Sequence, residues 1–249
     1  MVTLKSKREI EIMREAGRIV AEILLILRDH AVAGVTTREL DRIAEQEAHK
    51  RNARPAFKGY RGYPGSLCAS INQEVVHGIP GSRELRQGDI VGLDYGIFYD
   101  GYYGDASITV PVGQVAAEVQ TLLRVTEESL YLGIEQAVVG NHLVDISRAI
   151  QTHAETHGYS VVKELGGHGI GKRMHEEPMV LNYTTNGRGI KLQPGLVLAL
   201  EPMLNLGTDR VVTLSDGWTV VTADGKPSAH FEHTVAITEA GPEILTKVA

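Results

Sequence analysis

Leu85-Arg86-Gln87-Gly88-Asp89-Ile90-Val91-Gly92-Leu93-Asp94 returns 107 positions later as Leu192-Gln193-Pro194-Gly195-Leu196-Val197-Leu198-Ala199-Leu200-Glu201. Each copy opens with leucine and a glycine turn, runs through a mostly apolar stretch, and ends on a carboxylate. A turn signal followed by a short apolar run reads as a buried strand. Upstream, Ala33-Gly34 through Glu39-Leu40-Asp41-Arg42 is echoed 106 positions on by Val139-Gly140 through Asp145-Ile146-Ser147-Arg148. Two matches in the same order, at nearly equal offsets, favour two related halves of roughly 7–112 and 113–240. Each would be a helix pair followed by antiparallel strands, and the fold class is α+β. Such halves can share one sheet, with a site where they meet. No linker separates them, so residues 1–249 are expected to form one domain.

Local signals fill in this frame. Ser6 to Glu9 reads as a capping box ahead of Ile10, Met13, Ile19, Ile23 and Leu27, giving a helix over 7–30. Thr36 to Glu39 reads as a second capping box, with a helix to about Arg51. The Gly/Tyr/Pro-rich stretch 58–65 reads as loop. Strands are expected near 66–71, 90–97 and 106–110, then helices over 116–138 and 143–157. Further strands are expected near 160–165, 195–202, 218–222 and 229–237.

Composition narrows the function. The chain has 249 residues, a formal net charge of −6 and a pI near 5.9. The charges are interspersed, with no basic face for nucleic acid or a membrane surface. One cysteine, Cys68, excludes an internal disulfide. There is no signal-peptide pattern, and the longest apolar run, 19–27, is too short to span a bilayer. A cytoplasmic enzyme is the expectation.

The carboxylates carry the chemistry. Asp94 ends an apolar strand, where an unpaired charge is costly. Asp105 follows beyond the turn signal Asp100-Gly101, so a hairpin would set the two strands side by side. Adjacent carboxylates repel unless a cation or a shared proton intervenes. In the second half Glu201 ends its strand and Glu232 lies in His230-Phe231-Glu232-His233-Thr234. His168 sits among glycines in Gly166-Gly167-His168-Gly169-Ile170-Gly171, and His175 follows in His175-Glu176-Glu177-Pro178. Four carboxylates and two divalent cations sum to zero charge. Oxygen ligands with one imidazole suit Mn, Fe, Co or Zn.

These residues resemble the type I methionine aminopeptidases, which have the pita-bread fold. The resemblance runs from Ile10-Glu11-Ile12-Met13-Arg14-Glu15-Ala16-Gly17 to Glu243-Ile244-Leu245-Thr246. Its most specific stretches are Ser70-Ile71-Asn72 with Val75-Val76-His77-Gly78-Ile79-Pro80, Gly167-His168-Gly169-Ile170-Gly171, His175-Glu176-Glu177-Pro178, Leu200-Glu201-Pro202-Met203 and Phe231-Glu232-His233-Thr234. It implies hydrolysis of the N-terminal methionine of nascent proteins and peptides when the second residue is small, by a hydroxide bridging two metals. Asp94 would hold one ion, Asp105 and Glu232 would bridge both, and His168 and Glu201 would hold the other. Glu201 would also shuttle the proton, and His77 and His175 would contact substrate. The methionine pocket would be lined by Tyr60, Tyr63, Cys68 and Trp218. A monovalent cation is implied near Asn72 to Glu74 and Ser228. The implied enzyme is a monomer that acts on nascent N-termini, with the ribosome as a candidate partner.

Two positions depart from the pattern. Phe57 stands where some relatives have cysteine, and Met174 where an aromatic residue often precedes the histidine. Both bear on the pocket's shape. Competing readings are a proline-specific peptidase of the same fold and a binding protein that kept the fold, though all five metal-ligand positions are present. His230 and His233, which flank Glu232 on a strand, read as structural or as groups lying behind the metal ligands. His153 and His157, four apart on a helix, lack the glutamate that a zinc-protease motif needs directly after its first histidine, and read as a solvated face.

Overall fold

A computed structural model describes residues 2–248. The first helix, α1 (Lys7–His30), starts at the expected box: Ser6 accepts from the Glu9 backbone and Glu9 returns a bond to Ser6. The second, α2 (Thr37–Lys50), makes only half of its box. Thr36 accepts from the Glu39 N–H, but the Glu39 carboxylate turns to Arg42 at 2.5 and 2.9 Å instead. The second half repeats the pair as α3 (Ala117–Glu135) and α4 (Leu143–Thr156). Among the described residues, no helix is long and apolar enough to cross a membrane.

The strands match expectation only in part. The expected 90–97 and 106–110 strands extend to Ile90–Tyr99 and Tyr102–Pro111, joined by Asp100 (φ 44°) and Gly101 (φ 88°). Two consecutive left-handed residues make the tight hairpin turn that matches strand twist. The strand expected over 160–165 pairs only at Ser160–Val161. Short strands at Arg54–Pro55, Glu74–Val76, Gly167–Gly169, Glu176–Val180, Met203–Asn205, Val211–Thr213 and Gly241–Ile244 were not expected. The stretch 58–65, expected as loop, contains a single 3₁₀ turn at Tyr60–Gly62.

The largest sheets of the two halves are separate, but a small three-stranded sheet crosses between them, pairing Glu74–Val76 of the first half with Val220–Thr222 of the second, which in turn pairs with Val211–Thr213. The first half builds a four-stranded sheet on Ile90–Tyr99, and the second a five-stranded sheet containing Val197–Leu200 and His233–Thr238. The expected 229–237 strand is interrupted: Ser228–His230 and His233–Thr238 belong to different sheets. At the interruption Glu232 pairs with Ser107 of the other half, exchanging both main-chain bonds at 2.9 and 3.3 Å. Side-chain hydroxyls continue the seam on either side. Thr234 Oγ1 donates to the Asp105 carbonyl at 2.7 Å and accepts from its N–H at 3.3 Å. Thr109 Oγ1 donates to the His230 carbonyl at 2.7 Å and accepts its N–H at 2.9 Å. Asp105, Ser107 and Thr109 thus run antiparallel to Thr234, Glu232 and His230, all of them buried.

Helices pack behind each sheet. Helix α1 lies on the Ile90–Tyr99 hairpin and buries Ile19, Ile23 and Leu27 with Leu93, Tyr95 and Ile97. Helices α3 and α4 bury Leu122, Leu130, Ile146 and Ile150 with Leu198 and Val235. The sheet faces turned from the helices look into the gap between the halves.

The seam yields a stability prediction. Thr234→Val keeps the volume but strips Asp105 of two buried hydrogen bonds, which costs roughly 1–3 kcal/mol. At this length each kcal/mol lowers Tm by about 2–4 °C. Thermal unfolding should show that fall, and an unchanged Tm would mean the seam contributes nothing.

Candidate metal centre and apolar pocket

Cross-strand register brings the acids together. In the first hairpin Asp94 pairs with Ser107, and Asp105 with Gly96. Asp94 and Asp105 therefore lie diagonally on one face, since residues two apart point the same way. In the second half His233 pairs with Leu200, and this register runs on to Glu232 and Glu201. His168 pairs with Ala199 on one side and Met179 on the other. Its glycine neighbours have a steric reason. A Cβ at Gly167 would strike the Ala199 carbonyl, and one at Gly169 the Glu177 carbonyl.

A cavity of about 140 Å³ opens where these strands meet. All eleven residues named from the sequence wall it: Tyr60, Tyr63, Cys68, His77, Asp94, Asp105, His168, His175, Glu201, Trp218 and Glu232. Phe57 and Arg61 complete the lining. Ligand atoms of Asp105, His168 and Glu232 lie within 4.8 Å of one another. Glu201 reaches to 3.7 Å from His168 Nε2, and its other oxygen to 3.8 Å from His230 Nε2.

The electrostatics call for positive charge. Burial pushes the Asp94 carboxyl up to about 7. Burial, and then the neighbouring acids, raise Asp105, Glu201 and Glu232 well above the usual carboxylate range. Buried oxygens of Asp94 (Oδ1), Asp105 (Oδ1) and Glu232 (Oε1) have no hydrogen-bond partner. Native proteins rarely leave buried acceptors unmatched. An oxygen-rich donor set with one imidazole, orphaned and aimed into one cavity, fits divalent cations.

The histidines at the cavity are neutral. Burial lowers His77 and His168, and the cavity walls around the ring, with His168, Arg61 and His77 nearby, lower His175 although its outer edge reaches solvent. His175 Nδ1 lies 2.9 Å from the Tyr60 hydroxyl, with the two rings stacked at 5.4 Å. His77 adopts φ 60°, a left-handed conformation uncommon outside glycine, and its ring meets Trp218 edge-on at 6.3 Å.

One wall of the cavity is apolar. Phe57, Tyr63, Cys68 and Met174 form a buried cluster with Tyr60 and Trp218 against it. The Tyr63 hydroxyl points away, 3.1 and 2.9 Å from the Leu67 and Gly78 carbonyls, so the ring faces inward as a hydrocarbon surface. Phe57 and Met174 close on Gly96, where an added Cβ would lie 2.9 and 2.8 Å from them and 3.1 Å from Asp105. The pocket wall and the metal-binding face thus share one backbone position.

Two groups at the site escape a reading of the sequence. Arg61 lies in a stretch that reads only as loop. His230, which reads as structural or as a group behind the ligands, has its Nε2 buried, unpartnered and beside Glu201, so its closeness to that acid is the part the sequence leaves open. Arg61 is placed by a left-handed turn, and His230 by the last residue of the short strand Ser228–His230. Asn72 and Ser228, expected near a monovalent cation, are neighbours: the Ser228 N–H donates to the Asn72 carbonyl at 2.9 Å. His153 and His157 lie at the end of α4, with His153 Nε2 at 3.0 Å from Glu128.

Comparison with known proteins agrees with this geometry. Residues 11–239 match metallopeptidase family M24. The chain is similar to the methionine aminopeptidase of Clostridium perfringens, 54% identical with all of both chains covered. It is similar to methionine aminopeptidase 1 of Bacillus subtilis, 53% identical over the same extent. A solved methionine aminopeptidase from Thermotoga maritima superposes with TM-score 0.98, at 44% identity and with both chains fully covered.

The charge balance makes a further prediction. A carboxyl whose folded pKa is raised costs no stability below its unfolded value and progressively more as pH rises through the folded one. For Asp94 that window runs from its ordinary 3.8 to about 7. A divalent cation removes this cost. The rise in Tm on adding manganese to chelator-treated protein should therefore be larger at about pH 7 than at about pH 5. A rise that is absent or independent of pH would contradict the assignment of these acids.

Proposed function

The chain belongs to metallopeptidase family M24, and from that premise we propose how it works. It is an aminopeptidase that hydrolyses the N-terminal methionine of proteins and peptides whose second residue is small. The observation that carries the reading is the single cavity, with orphaned carboxylates on one wall and a sulfur- and ring-lined pocket on the other.

Two divalent cations would be held there by Asp94, Asp105, His168, Glu201 and Glu232. When bound they supply a water acidic enough to attack at neutral pH and polarise the scissile carbonyl. The protein's own groups do the rest. The apolar wall takes the methionine side chain, which is long, unbranched and polarizable. Glu201 accepts the proton of the attacking water and passes it to the leaving amine. His77 hydrogen-bonds the scissile nitrogen. Tyr60 donates to His175 Nδ1, which leaves Nε2–H as a donor for the oxygen that gains charge. The second substrate residue sits against the acids and histidines, so only small side chains fit.

The proposal extends to residues 1–249 as one catalytic unit, with halves at roughly 7–112 and 113–240. We place it in the cytoplasm as a monomer acting on nascent N-termini, with the ribosome as a candidate partner. A monovalent cation beside Asn72 to Glu74 and Ser228 belongs to the same reading.

Removing a metal-binding acid should be severe. Asp105→Ala and Glu232→Ala should each lower kcat/KM by about a thousandfold or more, roughly 4 kcal/mol of lost transition-state stabilisation. Near-normal turnover with metal in excess would sink the assignment. Substrate choice is tested with three peptides. Met-Ala-Ser should be cleaved, whereas Met-Lys-Ser and formyl-Met-Ala-Ser should be nearly inert. Comparable turnover of all three would refute the pocket.

A further inference from the structure

Arg61 is the only lysine or arginine lining the cavity among the described residues. Nearby Lys58 is held by Glu45 at 2.7 Å, and Arg83 by Glu74 at 2.9 Å. Arg61 makes no such pair among the described residues; its guanidinium lies instead 5.4 Å from the Tyr60 ring centre.

The turn that carries it is built to present it. Arg61 has φ 50° between Gly59 (φ 83°) and Gly62 (φ 91°). A left-handed arginine is uncommon and persists where the surroundings hold it. Here the turn closes on itself: the Gly59 N–H donates to the Tyr63 carbonyl at 2.8 Å, and the Tyr63 N–H to the Tyr60 carbonyl at 2.9 Å. Tyr60 in turn is fixed to His175. The charge therefore sits at a defined place on the rim rather than on a wandering loop.

Its place relative to substrate follows from burial. Tyr63, Cys68, Asp105, His168 and Glu232 are buried, whereas Arg61 and His175 are exposed. The deep end of the cavity is closed, so the part of a peptide beyond the scissile bond leaves past the exposed end. We propose that Arg61 is a specificity-determining residue that favours an acidic side chain at the third substrate position and disfavours lysine or arginine there. The proposal rests on the aminopeptidase reading of the same site. A guanidinium offers five donors in a planar fork suited to carboxylate. An exposed ion pair of this kind is worth roughly a two- to fivefold change in rate, and salt weakens it.

The test uses the metal-loaded full chain and C-terminally amidated peptides, so that no terminal carboxylate competes: Met-Ala-Glu-Ala, Met-Ala-Gln-Ala and Met-Ala-Lys-Ala. The wild-type protein should rank them Glu over Gln over Lys in kcat/KM, by roughly two- to fivefold per step, narrowing at about 0.5 M salt. Arg61→Gln should bring the ratios close to one, and Arg61→Glu should invert them. Equal wild-type turnover of the three, or a ranking that survives in Arg61→Gln, would overturn the proposal. Failure to cleave any of them would overturn the aminopeptidase reading itself, and this inference with it.

Discussion

The seam between residues 105–109 and 230–234 is the constraint on which the site depends. Here Ser107 and Glu232 exchange a pair of main-chain bonds, and threonine hydroxyls extend the contact on both sides. Each half supplies acids on the face turned from its helices. Because the two central strands meet only along this strip, Asp105 and Glu232 are forced into the same buried space. Two like charges so placed are unfavourable alone, and the fold tolerates them because a cation can resolve them.

The rest of the architecture serves that strip. The four helices cover the outer faces with apolar side chains and leave the inner faces free for polar chemistry. Glycines flanking His168 let its strand pass between Ala199 and Glu177 without collision, which brings an imidazole to the carboxylates. Gly96 does the same for the pocket, since its missing side chain makes room for Phe57 and Met174 against Asp105. The apolar wall and the acidic face of the cavity therefore meet at one backbone position, Gly96.

Much of this architecture is legible in the amino-acid sequence. The repeat ending in Asp94 and Glu201 points to the two halves, because a buried strand that ends on a carboxylate is a conspicuous pattern. The hairpin at Asp100-Gly101 follows from turn chemistry. The family resemblance supplies the eleven site residues, and one cavity gathers them all. What stays hidden has local causes. Strands such as Gly167–Gly169 and Val211–Thr213 are too short to show a period. The break in the strand at Glu232 carries no glycine or proline to mark it. The Glu39 side chain has two partners open to it, and Arg42 three residues on wins over the capping box. Arg61 reaches the rim only through a left-handed turn, and arginine does not advertise one.

The central claim is that the seam creates a two-cation centre. Anomalous diffraction from manganese-soaked crystals, collected at the manganese edge, tests it most directly. The account predicts two peaks about 3.5–4 Å apart, both between Asp105 and Glu232, one toward Asp94 and the other toward His168 and Glu201. Density for manganese only outside this cavity, or ions that touch neither Asp105 nor Glu232, would contradict it.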